Sequence, residues 1–230
     1  MIRDVVNHEA HEDHEGLIRK TLRVLRALRG WLLFGVLAGA PVTACSSGPA
    51  PPTDASYGQG ILQSRATKDA SFRTGSDSPI PAAARATFAG LAYYPVDAAY
   101  RVPSYLTEDR AAPRVVIQME TSLHQLRHMR KVGTLGFTLA GSTHSLTAFA
   151  DIDARDVNRL FVPFGDLTSG TETYGGGRYL ELDRTPTGLY DLDFNRAYHP
   201  YCLYSPTFDC PVPPRENRLA VMIRAGERMR

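Results

Sequence analysis

Hydrophobic positions fall into three successive textures along the chain. Residues 30–44 (GWLLFGVLAGAPVTA) form one uncharged, largely apolar run of fifteen. In ILQSRATKDASF (61–72), Ile61, Leu62, Ala66, Asp69 and Phe72 recur at helix-like spacing, and the pattern stops before the Ser78-Pro79-Ile80-Pro81 breaker, so one short N-terminal helix is predicted. Beyond Pro81 the texture shifts to short alternating or apolar runs rich in β-branched and aromatic residues. They are RVVIQME (114–120), TLGFTLA (134–140), SLTAFAD (145–151), RLFVPF (159–164), GRYLELD (177–183), LYDLDFN (189–195) and LAVMIR (219–224). Gly141-Ser142-Thr143-His144 and Thr185-Pro186-Thr187-Gly188 supply turns between neighbours. The predicted fold class is mainly β: an antiparallel β-sandwich or partly open β-barrel with one short N-terminal helix.

Charge changes this picture chiefly by exclusion. The 230 residues carry 26 basic and 24 acidic side chains, a net charge of only +2. That balance argues against a basic nucleic-acid binder, an acidic disordered tail or a polytopic membrane protein, so no nucleic-acid partner is expected. The fifteen uncharged residues fall short of the roughly 20 that a membrane-spanning helix needs. They follow LIRKTLRVLRALR (17–29), which has five basic side chains and no acid, and the pair reads as the n- and h-regions of a signal peptide. Val42-Thr43-Ala44-Cys45 then resembles the lipobox of bacterial lipoproteins, which implies that Cys45 is acylated and becomes the mature N-terminus. Several acyl chains at ~0.8 kcal/mol per buried CH₂ would hold the protein on a bilayer.

Residues 1–44 are thus expected to be a lipoprotein signal peptide, with the acidic, histidine-rich 1–16 an over-extended gene start. Residues 45–56 are expected to be the lipidated cysteine and a Pro/Ser/Ala tether, and 57–230 a single β-rich domain. The expected location is extracytoplasmic, lipid-anchored to the cell membrane, and the outer membrane in a cell with two, because Ser46 replaces the Asp that marks inner-membrane retention. Membrane lipid, through Cys45, is the expected partner.

The C-terminal half is dense in Tyr, Gly, Pro and Asn: FVPFGDLTSGTETYGGGRYLEL, DFNRAYHPYCLYSPTFDCPVPPRENRL and IRAGE. Together with Lys68-Asp69, Ser78-Pro79-Ile80, Gly90-Leu91, Tyr94-Pro95-Val96-Asp97 and Tyr100-Arg101-Val102, these blocks resemble a prokaryotic domain family of unknown function, DUF1684, from about Arg65 to Glu227. The resemblance implies no established activity. His199 departs from it, standing where the family pattern has asparagine in Ala-Tyr-Asn-Pro-Tyr-Cys.

Candidate chemistry concentrates in the same half. Tyr174-Gly175-Gly176-Gly177-Arg178-Tyr179 offers freed backbone amides and a guanidinium that together could cradle an anion, but it lacks P-loop and dinucleotide spacings and also reads as a glycine-rich strand entry. Asp191, Asp193 and Asn195 alternate along one strand, with Glu216 and Asn217 later, so Asp193 and Glu216 are the candidate acid–base pair; the same alternation fits a solvated face. Cys202 and Cys210, eight apart, are the thiols left once Cys45 is lipidated, and an oxidising compartment would favour a disulfide between them over two free thiols. His124 and His128 lack the glutamate of a zincin helix, and no metal or cofactor is expected. The leading expectation is a bacterial cell-envelope lipoprotein that binds a small molecule or envelope component through Tyr174, Arg178, Tyr179, Asn195 and Tyr198. The alternatives are an extracytoplasmic, hydrolase-like enzyme using Asp193, Glu216 or His199, and a purely structural envelope protein.

Overall fold

The computed structural model describes residues 54–109, 115–154 and 158–230. Helix α1 (Asp54–Thr74) and the single turn α2 (Ala82–Arg85) precede the strands. These are β1 (Ala92–Tyr93), β2 (Arg101–Glu108), β3 (Val115–Glu120), β4 (Leu126–Leu139), β5 (Ser142–Asp151), β6 (Arg159–Phe164), β7 (Arg178–Asp183), β8 (Tyr190–Asp193) and β9 (Glu227–Arg228). The main sheet runs β7-β6-β5-β4-β2-β8 with every pairing antiparallel, and β3 lies beside the first half of β4. Its two ends meet through the Arg184–Tyr190 bridge at the base of the 185–189 turn, so the sheet is a nearly closed barrel, the second of the two predicted architectures. The short β1–β9 ribbon stands apart.

Backbone geometry sets the register. The β4–β5 hairpin closes on the pair Leu139–Ser142, with Ala140 and Gly141 at φ 48° and 78°, the two positive values of a type I′ turn, so Ser142, Thr143 and His144 belong to β5 and not to the turn. Between Lys131 and Gly133 the ladder slips at a bulge. A Cβ on Gly133 would lie 2.3 Å from the Thr107 carbonyl oxygen, so only glycine lets β2 approach there.

Alternation then divides the side chains. Leu146 and Ala148, Leu160, Val162 and Phe164, and Leu180 and Leu182 point into the barrel, where Leu135, Phe137, Leu192 and Phe194 meet them. Phe194 stands edge-on to Phe164 at 5.4 Å. The alternate positions, among them Phe149, Phe161, Tyr179 and Glu181, face outward, and Met119, Met129 and Phe149 build a second, smaller cluster on that side. Strands β5 and β6 share a single pair, Phe149–Phe161. The gap beside it is filled by Asn217, whose amide accepts from Thr147 N (2.7 Å) and donates to the carbonyls of Thr147 (2.8 Å) and Pro163 (2.7 Å).

Three sequence expectations change. Helix α1 begins at Asp54, not Ile61, so the last three residues of the expected tether are helical; Tyr57 docks its hydroxyl on Asp193 at 2.8 Å and holds that first turn down. Residues 219–224 form no strand: Leu219 and Ile223 are buried in the barrel, but the Ile223 carbonyl is taken by Arg178 and not by a neighbouring strand. The β2 segment, absent from the prediction, pairs along both edges despite Pro103, joining β8 through Arg101–Ser104 and β4 through Tyr105–Glu108. Residues 1–53, with the signal, the lipobox and Cys45, lie outside the described residues.

Candidate functional site

The outward face of β6 and β7 is partly roofed by the 198–211 segment. A two-way backbone bridge, Tyr179 N to Tyr198 O (2.8 Å) and Tyr198 N to Tyr179 O (3.0 Å), fastens the start of that segment to β7. Its far end is held where Val212 N reaches the Glu120 carbonyl at 2.7 Å and where the Tyr179 hydroxyl donates to Pro211 O. Rings accumulate between these anchors. Tyr179 is edge-on to Phe161 at 4.9 Å and to Tyr198 at 5.7 Å, and Tyr201 is edge-on to Phe208 at 5.3 Å.

The result is a cleft of about 490 Å³ walled by Tyr179, Tyr198, Tyr201 and Phe208, with Lys68 from α1 and Arg127 from β4 at its margins. A groove of about 570 Å³ continues it across Met129 and Phe161 toward Arg159, and the two share Arg127, Glu181 and Pro211. Burial pushes the Tyr179 and Tyr198 phenols well above their ordinary range, so both remain neutral hydroxyls. Tyr198 donates to Glu181 Oε1 at 2.9 Å, and Arg159 pairs with the other oxygen of that carboxylate. Lys68 Nζ sits 4.5 Å from the Tyr198 ring centroid and 2.5 Å from Glu227 Oε1. Glu181 and Asp209 line the cleft beside Lys68 and Arg127, so its charges balance, and the aromatic faces are suited to a planar or apolar body.

The residues singled out from sequence separate into different roles. Tyr179 and Tyr198 line the cleft. Arg178 does not: it is fully buried, paired with the equally buried Asp166 at 2.8 Å, and it donates to the carbonyls of Ile223, Ala225 and Glu227. Its guanidinium ties the irregular C-terminal segment to β7, so it reaches no ligand. Tyr174 is half-buried with its hydroxyl 4.0 Å from Cys202 Sγ, and Gly177 N donates to Tyr174 O at 3.0 Å, making the glycine run a turn into β7. Asn195 spends its amide on Asp97 and Tyr57.

Asp193 and Glu216 are not brought together. Asp193, 2% exposed, accepts from Tyr57 and from the Asn195 backbone amide and faces Arg196 Nε at 3.2 Å. Glu216 is exposed on a 3₁₀ turn beside the Asn217 wedge, and among the described residues the two carboxylates share no partner and no cavity. His199 Nε2 accepts from Tyr174 N at 3.3 Å, and burial, with Arg178 and Lys68 nearby, lowers its imidazole to about 3; it is a neutral structural acceptor. His124 lies exposed 3.1 Å from Glu120, and His128 lies on β4 opposite Gln118.

The expected disulfide is corrected by the structure. Cys202 and Cys210 stand as adjacent free thiols, with Cys202 N donating to Cys210 Sγ at 3.2 Å, so the second sulfur serves as the acceptor that closes the loop. Burial raises the Cys210 thiol to about 11.

The sequence model of the family described as "Protein of unknown function (DUF1684)" matches residues 86–228. The chain belongs to the DUF1684 family. The solution structure of an uncharacterised protein from Haloarcula marismortui is similar to it at 39% identity and a TM-score of 0.59, covering 75% of this chain and 94% of that one. No curated protein matches the chain. The matched DUF1684 span holds Arg127, Tyr179, Tyr198, Tyr201 and Phe208, while Lys68 precedes it on α1. Lys68, Arg127 and Phe208 were not singled out as site residues from sequence, and Tyr201 stood only among six tyrosines, 174, 179, 190, 198, 201 and 204, that read equally as a binding wall or as packing beneath a long loop. Lys68 did stand in a family-like block, but nothing local tells Tyr201 from Tyr204: both pack edge-on to Phe72, at 5.8 and 5.3 Å, and Tyr201 lines the cleft while Tyr204 does not.

Proposed function

We propose that this DUF1684 protein is a binding protein, holding a small molecule or envelope component in the aromatic cleft between β7 and the 198–211 segment. One observation carries the reading: four aromatic side chains converge on one 490 Å³ cleft whose margins carry two cations and two carboxylates. The carboxylates proposed for an enzyme support it by contrast, since Asp193, bound through Oδ1 to Tyr57 and the Asn195 amide, and Glu216, on the 215–217 turn, share no cavity among the described residues. Cys45, read as a lipidation site, makes the domain an extracytoplasmic module tethered to the membrane by its acyl chains.

Native against denaturing mass spectrometry of the full-length protein taken from its own cells tests the binding. The expected result is an adduct of constant mass that is lost in Tyr201→Ala or Phe208→Ala with the fold retained. Protein that is empty, or an adduct indifferent to both substitutions, refutes it. Incorporation of labelled palmitate that disappears in Cys45→Ser tests the anchor independently.

A further inference from the structure

Beyond the Lys68–Tyr198 wall of the aromatic cleft lies a second, smaller pocket of about 120 Å³, open on one side and lined by α1, Tyr93 and the 195–198 segment. We propose that it is a binding site for one compact oxyanion, a carboxylate or phosphate group, held by Arg65, Tyr93 and Lys68. Two polar atoms of its walls, Arg65 Nε and the Tyr93 hydroxyl, are buried with no hydrogen-bond partner. Buried donors left in this state each cost about 1–3 kcal/mol, so a pair of them beside one cavity calls for an acceptor that the protein itself does not provide.

The charge balance specifies the kind of acceptor. Arg65 donates its two terminal nitrogens to carbonyls, Tyr94 O at 2.9 Å and Asn195 O at 3.3 Å, and its guanidinium stacks 4.5 Å from the Tyr93 ring centroid. Among the described residues no carboxylate pairs with it. Glu227, the carboxylate that lines the cavity, is already matched, Oε1 by Lys68 and Oε2 by His199 N (2.8 Å) and the Tyr204 hydroxyl (3.2 Å); Asp193, facing Arg196, and Asp69, which accepts from Leu91 N, lie outside its walls. Lys68 gives one of its three N–H groups to Glu227, and Ser64 adds a hydroxyl to the rim. Of the side chains that line the cavity itself, Arg65, Lys68 and Arg196 are cationic and Glu227 alone is anionic, so its walls carry net positive charge. The volume equals that of about four waters in the liquid, room for one oxyanion group.

Calorimetric titration of the full-length protein at fixed ionic strength, with inorganic phosphate and with acetate as separate probes, tests the site. Saturable binding of one probe is expected, and which probe binds tells phosphate from carboxylate. Tyr93→Phe removes a single hydroxyl and should weaken that binding about tenfold, with a ligand-free melting temperature no lower than that of wild type. Arg65→Lys should weaken it further, and Tyr93→Phe decides the matter should that variant fail to fold. Tyr201→Ala in the neighbouring cleft should leave anion affinity unchanged, which keeps the two sites separable. No saturable heat with either probe, or equal affinity in wild type and Tyr93→Phe, would mean that water alone fills the cavity and overturns the proposal.

Discussion

Replacing Asn217 removes a side chain that stands in for backbone. Its amide is completely buried and makes three hydrogen bonds of 2.7–2.8 Å, one accepted from Thr147 N and two donated to the carbonyls of Thr147 and Pro163. It fills the place where β5 and β6 have parted after their single shared pair. Asn217→Ala strands one buried N–H and two buried carbonyls. At about 1 kcal/mol for each lost bond, the low end of the range for unsatisfied buried groups, the loss is about 3 kcal/mol. For a domain of this size that corresponds to a fall of about 6–12 °C in melting temperature. Asn217→Asp preserves volume but offers only acceptors to two carbonyl oxygens, so at neutral pH it should be at least as damaging, and acid should partly rescue it as the carboxyl gains a proton. Urea unfolding followed by circular dichroism measures both. A loss below 1 kcal/mol in Asn217→Ala, or an Asp variant as stable as wild type at pH 7, would refute the wedge.

Arg178→Met leaves Asp166 charged and buried without its partner, and a destabilisation of about 3–5 kcal/mol is expected by denaturant titration; a folded, stable variant with only weakened ligand binding would restore it as a ligand contact. His199 titrates at about 3 when folded, well below its unfolded value, so the unfolded chain binds the extra proton between those limits and stability is full above about pH 6.5 and lost as pH falls toward 3. Between pH 7 and 5 that loss is about 2 kcal/mol, and melting temperatures in His199→Asn should lack this component of the slope. Glu172, held down to about 2 by hydrogen bonds from Arg224 and Tyr94, contributes stability present above its ordinary value and lost as pH falls through 2; Glu172→Gln should flatten thermal stability in that acid window. Cys210, raised to about 11, should react with a disulfide reagent at pH 8 far more slowly in native than in urea-unfolded protein.

Much of the fold was legible because strands announce themselves locally. The 159–164 and 177–183 runs alternate, and both form strands whose even-numbered residues enter the barrel. The 219–224 run has the same apolar texture and forms none, because its backbone groups are claimed from outside: the Ile223 carbonyl by Arg178, and Leu219 N by Gly165 O at 2.8 Å. Composition reports that such residues are buried, but not which partners satisfy their amides. The start of α1 was hidden for the same reason, since the contact holding its first turn reaches Asp193, far along the chain.

The site divides along that line. Periodicity two and the dense tyrosines were enough to locate a β-rich domain of this family and the half of the chain that bears the cleft, because both are properties of neighbouring residues. Only the folded chain decides that Tyr179 and Tyr198 line the cleft, that Arg178 is sealed beneath it and that Asp193 and Glu216 are kept apart. It also brings Arg65 and Lys68 of α1 together with Tyr93, which lies beyond the α2 turn. Residue type states what a side chain can do; burial and the competition for hydrogen-bond partners, both set by contacts remote in sequence, settle whether it is left free to do it.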